Sequence, residues 1–327
     1  ENSLKKISSD IDQVYVVGIP DKRYGEEVAA AVSWIKGIEQ NGAMRKLKYT
    51  LLSGTPLLSS YETPKYIASL DIKDAPITST GKIQRTILKE KMSSENFESL
   101  YNLVKTPEYR FSILDSQSPY INESRELYNR CWQPLTLDSE TYKKNIAKQF
   151  ILLAIDNKNN IAGQIAFIRT NLSSKELLRT TYDCLLTPEV SNPCGNAIVC
   201  VSICSTNYEA KPIPPVIESA DDEAVRKYLY MKLDPILKFH QEPKGGLAKG
   251  ADLIDVIPKS RPEDKSSLGY NMLLKYPPPG GHIAITNKQP ISNQLMEATL
   301  LIAKDLGLKD IYAYSRPGGL ASYISNR

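Results

Sequence analysis

Histidine is nearly absent from this chain of 327 residues: His240 and His282 are the two it has. A metal site built on imidazoles needs more ligands than that, so no protein-bound metal is expected. The five cysteines are an odd number and form no Cys-x-x-Cys pair, which gives no sign of a disulfide framework. Cys200 and Cys204 fall in an apolar, strand-like run and read as buried reduced thiols of a cytoplasmic protein. No apolar run is long enough to span a bilayer, and residues 1–20 lack the pattern of a secretory leader. Strong charge of either sign is missing too. A net charge of +4, with both signs interspersed, is too mild to require nucleic acid or an anionic membrane as partner. Nor is there a Walker loop: that pattern needs glycine five positions before a Gly-Lys pair and Ser or Thr after it, where Gly81-Lys82 has Pro76 and Ile83.

What is present describes a globular chain. Apolar residues make up 41% and charged residues 24%, a balance that builds cores rather than disorder. The length suits two domains. The most informative stretch is Thr78-Ser79-Thr80-Gly81-Lys82-Ile83-Gln84-Arg85. Glycine at the tip of a Ser/Thr-rich turn lets the backbone bend sharply, and the lysine after it projects a mobile point charge suited to phosphate or carboxylate. A helix is expected directly after, over 83–92. Upstream, residues 14–32 read as strand, Pro/Gly turn and second strand, and 38–52 as an amphipathic helix. Tyr61-Glu62-Thr63-Pro64-Lys65-Tyr66-Ile67 then leads through a short strand to the lysine turn.

Those motifs, in that order, resemble the small C-terminal domain of adenylate-forming enzymes, the acyl-CoA synthetase superfamily, over roughly residues 1–92. The resemblance implies that Lys82 bridges a substrate carboxylate and the nucleotide while the carboxylate attacks the α-phosphate. Two anions must meet there, and a placed cation stabilises the charge that develops. It implies further that Gly81 supplies the turn and that Arg85 is a second cation one helical turn on. Arg23-Tyr24-Gly25-Glu26 matches the loop that faces the pantetheine channel once the small domain has rotated for thioester formation. ATP or AMP and coenzyme A would be bound together with a large N-terminal adenylation domain, and a small carboxylic acid would be the substrate. The Gly/Ser/Thr-rich phosphate loop of that larger domain does not occur in these residues. The chain is therefore expected to be a fragment of a longer protein, or one half of a split enzyme, inactive in adenylation alone.

A linker is read over 93–107, with Phe97, Leu100 and Val104 on one face of a short connecting helix and Pro107 ending it. Residues 108–327 then alternate helix and strand. Helices are expected over 121–132 and 139–147, followed by a hairpin of 150–155 and 161–168 about a polar turn. A helix over 173–186, a strand over 197–203 and a helix over 221–233, closed by Asp234-Pro235, come next. Short strands are expected over 236–240, 252–257, 268–276 and 282–286, then an amphipathic helix over 291–306 and a last strand over 310–314.

Two helices, a hairpin and a further strand resemble the opening of a GNAT-type acyltransferase, a family that moves an acyl group from acyl-CoA to an amine. Arg316-x-x-Gly319-x-Ala321 satisfies that family's pyrophosphate loop. The match implies acetyl-CoA or acyl-CoA held at Arg316, Gly318 and Gly319 by backbone N–H groups at a helix N-terminus. It also implies Tyr270 as general acid for the leaving thiolate. In the family the loop directly follows the fourth strand; here 205–216 has no glycine, and the helix–strand pair expected next comes last, at 290–315. The order is permuted or the domain incomplete. Lys244-Gly-Gly-Leu-Ala-Lys-Gly-Ala251 is a rival phosphate loop, Glu263 is a carboxylate able to act through water, and His240, set among apolar residues, reads as a core histidine.

The expected fold is α/β of mixed α+β type, a small adenylate-forming-enzyme C-terminal domain (1–92) followed by a GNAT-like mixed-sheet domain (108–327). The expected function is the tail of an acyl-CoA ligase fused to an acyl-CoA-dependent N-acyltransferase-like module. The alternative is a non-catalytic scaffold or interaction fragment.

Overall fold

Ala29, Ala30, Ala31 and Val32 are all fully buried, because strand alternation sends them to the two faces of one sheet and both faces are covered. The computed structural model describes residues 1–21, 25–91, 97–171, 181–207, 221–241, 250–280, 283 and 285–325. Two units result, Glu1–Val104 and Lys105–Arg327. The first has α1 (Asn2–Ile7), β1 (Ile11–Asp21), β2 (Gly25–Trp34), α2 (Gln40–Leu52), β3 (Tyr66–Ser69), α3 (Arg85–Lys91) and β4 (Glu98–Ser99). Its sheet runs β1-β2-β3-β4, with β1 and β2 an antiparallel hairpin and β2 and β3 parallel. Ala30 and Val32 join Leu4 of α1 and Leu47 of α2 in one core. Ala29 and Ala31 join Val17, Leu88 of α3 and Phe97 in the other. Leu88 thereby anchors the helix that follows the Lys82 turn. Lys48 of α2 is buried, with Glu98 Oε2 and the Asn102 carbonyl each accepting from its ammonium at 2.9 Å.

The connecting helix expected within 93–107 is not formed by the described part of that stretch. β4 pairs with β3, and β5 (Asn102–Lys105) follows it. Phe97 and Leu100 pack into opposite cores of the first unit. An odd spacing sends two side chains to opposite faces of an extended chain, so the apolar spacing that mimics a helical stripe belongs to strand here.

The second unit holds β6 (Tyr109–Ile113), α4 (Ile121–Cys131), α5 (Ser139–Ile146), β7 (Phe150–Asp156), β8 (Ile161–Thr170), α6 (Tyr182–Leu185), β9 (Ala197–Ser205) and α7 (Asp222–Tyr230). It continues with α8 (Pro235–Gln241), β10 (Asp252–Ile257), β11 (Asn271–Tyr276), α9 (Ile291–Asp305), β12 (Asp310–Ser315) and α10 (Leu320–Ser325). Both units are therefore mixed α+β. The larger sheet has the order β10-β11-β12-β9-β8-β7-β6-β5. β6 to β9 pair antiparallel in succession, as do β10 to β12, while β12 and β9 run parallel. The helix–strand pair that comes last in sequence is thus set beside β9, with α9 packed on β7, β8 and β9.

One detail of that sheet positions the site. Pairing between β12 and β9 runs from Asp310 opposite Ala197 to Ala313 opposite Cys200. Beyond it β9 follows β8, reaching Ser205 opposite Gly163, and β12 follows β11, reaching Ser315 opposite Met272. Each strand end is held by a different neighbour, so the two part. The gap opens at their C-terminal ends, where parallel strands commonly receive ligands.

Three expected elements differ. Residues 236–240 form α8, not a strand: Asp234 caps it and Pro235 opens it, the signature of a helix start rather than the close of the preceding helix. The strand expected over 268–276 begins at Asn271, because Leu268 (φ 52°) and Gly269 (φ 77°) make a left-handed turn first. Within 282–286, the described residues are not strand. Of the helix expected over 173–186, the residues before Thr181 lie outside the described ones, and Tyr182–Leu185 is helical. Among the described residues no helix is long and apolar enough to cross a membrane, and no group of three or more His, Cys, Asp or Glu is placed to hold a metal ion.

Candidate functional site

The Lys82 turn is built from local hydrogen bonds. The Gly81 N–H donates to the Thr78 carbonyl at 2.9 Å, the Thr78 N–H to the Lys82 carbonyl at 2.9 Å, and the Lys82 N–H to Thr78 Oγ1 at 3.0 Å. Gly81 has φ +78° with nothing within 4 Å of where a Cβ would lie. Glycine is therefore required by backbone conformation, not by space. Ile77 and Ile83 bridge the base of the turn. The Lys82 side chain is exposed, and its ammonium has no hydrogen bond or ion pair with a described residue.

The residues expected around it are already paired. Arg85 meets Glu1 Oε1 at 2.8 Å, and the same oxygen accepts from the Val16 N–H at 3.0 Å. Glu26 meets Lys89 at 2.6 Å, beside Gly25 at φ +80°. Exposed pairs of this kind contribute about 0.2–1 kcal/mol, so neither locks its residue against an incoming ligand. Nothing in the sequence marked Glu1 or Lys89 as partners. Arg23 and Tyr24 lie outside the described residues.

In the second unit the glycine loop after β12 is filled from within. The Gly318 and Gly319 N–H groups donate to Asp234 Oδ2 at 2.7 and 3.3 Å. The Tyr228 hydroxyl donates to the same oxygen at 3.1 Å. Asp234 Oδ1 accepts from the N–H groups of Ile236 and Leu237 at 2.9 and 2.8 Å, capping α8. This carboxylate is completely buried. Burial pushes its carboxyl above the ordinary range, and those donors offset the rise only in part. The glycines are needed for the fit: a Cβ at Gly318 would come 2.5 Å from Ile236 Cγ1, and one at Gly319 would come 2.7 Å from the Tyr228 hydroxyl. The loop is an anion nest whose anion is the protein's own side chain. The expectation that Gly318 and Gly319 present free N–H groups to a coenzyme A pyrophosphate is thus corrected.

Arg316 is not a free cation either. It pairs with buried Asp264 Oδ2 at 3.4 Å, donates to Ser266 Oγ at 3.3 Å and to the Cys131 carbonyl at 3.2 Å, and lies 4.6 Å from the Trp132 ring centroid. Buried Arg261 sits on the same indole at 5.1 Å and on Tyr182 at 3.5 Å. Where β9 and β12 part lies a cleft of about 200 Å³. Ile203, Ile236, Phe239 and Trp132 give it an apolar wall; Cys131, Cys204 and Arg316 supply its reactive and charged groups. Among the described residues the Trp132 indole N–H is buried with no oxygen or nitrogen acceptor, and it faces the Cys204 sulfur. Cys131 Sγ donates to the Ser205 carbonyl at 3.6 Å, and the Cys204 thiol lies within hydrogen-bonding reach of it. Sequence reading missed this cluster, since a cysteine at the end of α4 and another in β9 carry no spacing that joins them.

Tyr270 stands elsewhere. Its hydroxyl donates to the Asp222 carboxylate at the start of α7; burial and that carboxylate push the phenol up to about 12. It is not among the residues lining the cleft. Glu263 is exposed. The rival loop 244–251 lies outside the described residues up to Lys249, as does His282. His240 is buried with Nδ1 2.7 Å from the Tyr276 hydroxyl, and burial lowers its pKa from 6.5 to about 4. Folded, the ring stays neutral until about pH 4; unfolded, it takes a proton near pH 6.5. Between those values the unfolded chain binds more protons, so this contribution is complete above the unfolded pKa and fades as pH falls, by up to about 3 kcal/mol. Urea unfolding between neutral and acidic pH is expected to show that slope in the native protein and a flatter one in His240→Gln; equal slopes would remove the buried neutral ring from the account.

No protein-family model matches the chain. Among curated proteins it is similar to the probable CoA ligase CCL9 of Humulus lupulus, 31% identical over 102 residues, which are 31% of this chain and 17% of that protein. It is also similar to the mitochondrial medium-chain acyl-CoA ligase ACSF2 of Danio rerio, 35% identical over 83 residues, 25% of this chain and 12% of that one. The chain therefore spans less than a fifth of the length of these relatives. Among solved structures, an acyl-CoA synthetase of Brucella canis is 29% identical, covering 28% of this chain and 16% of its own, with a TM-score of 0.24. The loading GNATL domain of CurA from Lyngbya majuscula is 17% identical and covers 51% of this chain and 96% of its own, with a TM-score of 0.35.

Proposed function

We propose that the first unit is the C-terminal part of an adenylate-forming CoA ligase, in which Lys82 assists carboxylate activation. The observation that carries this reading is the stretch of 102 residues similar to a curated CoA ligase, taken with an exposed lysine, without a partner among the described residues, at the tip of a turn closed by its own hydrogen bonds. A carboxylate oxygen attacks the α-phosphate of ATP and pyrophosphate leaves; Lys82 sets a positive charge between the two anions, where charge accumulates. ATP and a small carboxylic acid are held mainly by a large adenylation domain, in the same chain or a separate one. Pyrophosphate-exchange assays of the complete assembly test the role of Lys82.

The second unit, in the same reading, takes an acyl thioester into the cleft between β9 and β12. Transfer to an amine is the reaction class that the acyltransferase resemblance implies. The seated Asp234 favours a second reading, a scaffold that has lost its coenzyme grip. Titration calorimetry of the full chain separates them: acetyl-CoA and S-acetyl-N-acetylcysteamine are expected to bind with similar affinity, because the glycine loop does not grip the pyrophosphate. No heat from either at millimolar ligand would leave the scaffold.

A further inference from the structure

We infer that Cys131 is an acyl acceptor: its thiol takes a short acyl group from a thioester in the cleft and holds it as a covalent thioester on the protein. The inference rests on the reading of that cleft as a thioester site, and it is independent of the role given to Lys82, which belongs to the other unit.

Four observations converge on this sulfur. Cys131 ends α4 and lines the cleft, although its residue surface is only 3% exposed, so the cleft is its route to solvent. A second thiol, Cys204, lines the same cleft within hydrogen-bonding reach. Cations gather beside it: Arg261 and Arg316 both lie on Trp132, and Arg316 is ion-paired with the buried carboxylate of Asp264. A negative charge in the cleft is therefore favoured, and a thiolate is the anion the protein itself can offer. Finally, the Trp132 indole N–H, on a residue 7% exposed, has no oxygen or nitrogen acceptor among the described residues and acts only on the Cys204 sulfur, a weak acceptor. An incoming carbonyl oxygen would give that buried donor a stronger acceptor than sulfur.

The hydrogen bond from Cys204, with help from Arg130 and Arg316, holds the Cys131 thiol below the ordinary thiol range against the opposing effect of burial. The Ser205 carbonyl, 3.6 Å away, holds the proton of the neutral form. Burial pushes Cys204 the other way, well above the ordinary thiol range, so it stays protonated and serves as the donor. One thiol is poised as nucleophile and its neighbour is not.

The step balances without oxidant or reductant. The Cys131 sulfur attacks the thioester carbonyl, a new C–S bond forms, and the bond to the carrier sulfur breaks. The carrier leaves as a thiolate and takes up the proton that Cys131 released. One thioester replaces another, so excess free carrier thiol returns the acyl group. The cleft's volume of about 200 Å³ compares with the roughly 150 Å³ that holds a benzene ring, which suits acyl groups of a few carbons.

Intact-mass spectrometry of the full chain tests this, with Cys184 and Cys194, the two exposed thiols, replaced by serine and with a phosphine reductant present. Incubation with butanoyl-CoA is expected to add one butanoyl mass, mapped to Cys131, retained in Cys204→Ala and removed by free CoA. Dodecanoyl-CoA is expected to label at least tenfold more slowly. Cys131→Ser and Cys131→Ala should abolish labelling while melting like the parent. If both melt early, peptide mapping of the parent decides: an adduct on any residue but Cys131 overturns the inference. Alkylation of Cys131 by iodoacetamide separates the two readings. Protection by butanoyl-CoA without an adduct sinks the acyl-acceptor role alone; neither protection nor adduct sinks the thioester cleft with it.

Discussion

Replacing Lys82 with alanine is expected to lower acyl-adenylate formation by roughly 10²–10³-fold, the loss that follows removal of one placed stabilising group from a charged transition state. Measured as pyrophosphate exchange in the complete assembly, the fall should appear in kcat more than in KM for the carboxylic acid, because the charge to be stabilised develops during attack. The fold should be indifferent. The side chain is exposed and touches no described partner, so the melting temperature should stay within error. Lys82→Arg is not a conservative control: a broad planar fork cannot occupy the place of a compact ammonium. An alanine variant that keeps native exchange rates would remove the ligase reading of the first unit at its root.

Asp234→Ala should be the most damaging single change in the second unit. Five donors converge on that carboxylate: Tyr228, Ile236, Leu237, Gly318 and Gly319. Alanine would uncap α8 and leave several buried N–H groups without an acceptor. A loss of about 3–5 kcal/mol is expected, or a fall of roughly 10 °C in Tm for a domain of this size. Asp234→Asn should lose less, since its carbonyl can still cap α8 while its amide cannot accept from the glycines. Calorimetric melts of the three proteins rank them, and an alanine variant that melts like the native protein would mean that the carboxylate is not seated in the loop.

That carboxylate shows where sequence reading stops. The loop Arg316-x-x-Gly319-x-Ala321 has the residues for a phosphate grip, and its local geometry suits one. Its N–H groups are occupied by Asp234, 84 positions from Gly318. The dipeptide Asp234-Pro235 held the missing signal in its other reading, as the start of α8. Cys131 and Cys204 were equally out of reach, since their meeting depends on how α4 lies over β9, not on any spacing in the chain.

Sequence alone determined the features whose causes are local. The Lys82 turn closes within five residues through Thr78 and Gly81, the β7–β8 hairpin declares itself by alternation around a polar turn, and α9 by its apolar stripe. Tertiary structure alone decided which groups are free and which are spent. It set β12 beside β9, opened a cleft where their hydrogen-bonding neighbours pull them apart, paired Arg85 with Glu1 and filled a glycine nest with Asp234. The reason is physical: a backbone donor or a charge has no function until its partner is known, and partners are chosen by packing across the chain, which no window of sequence contains.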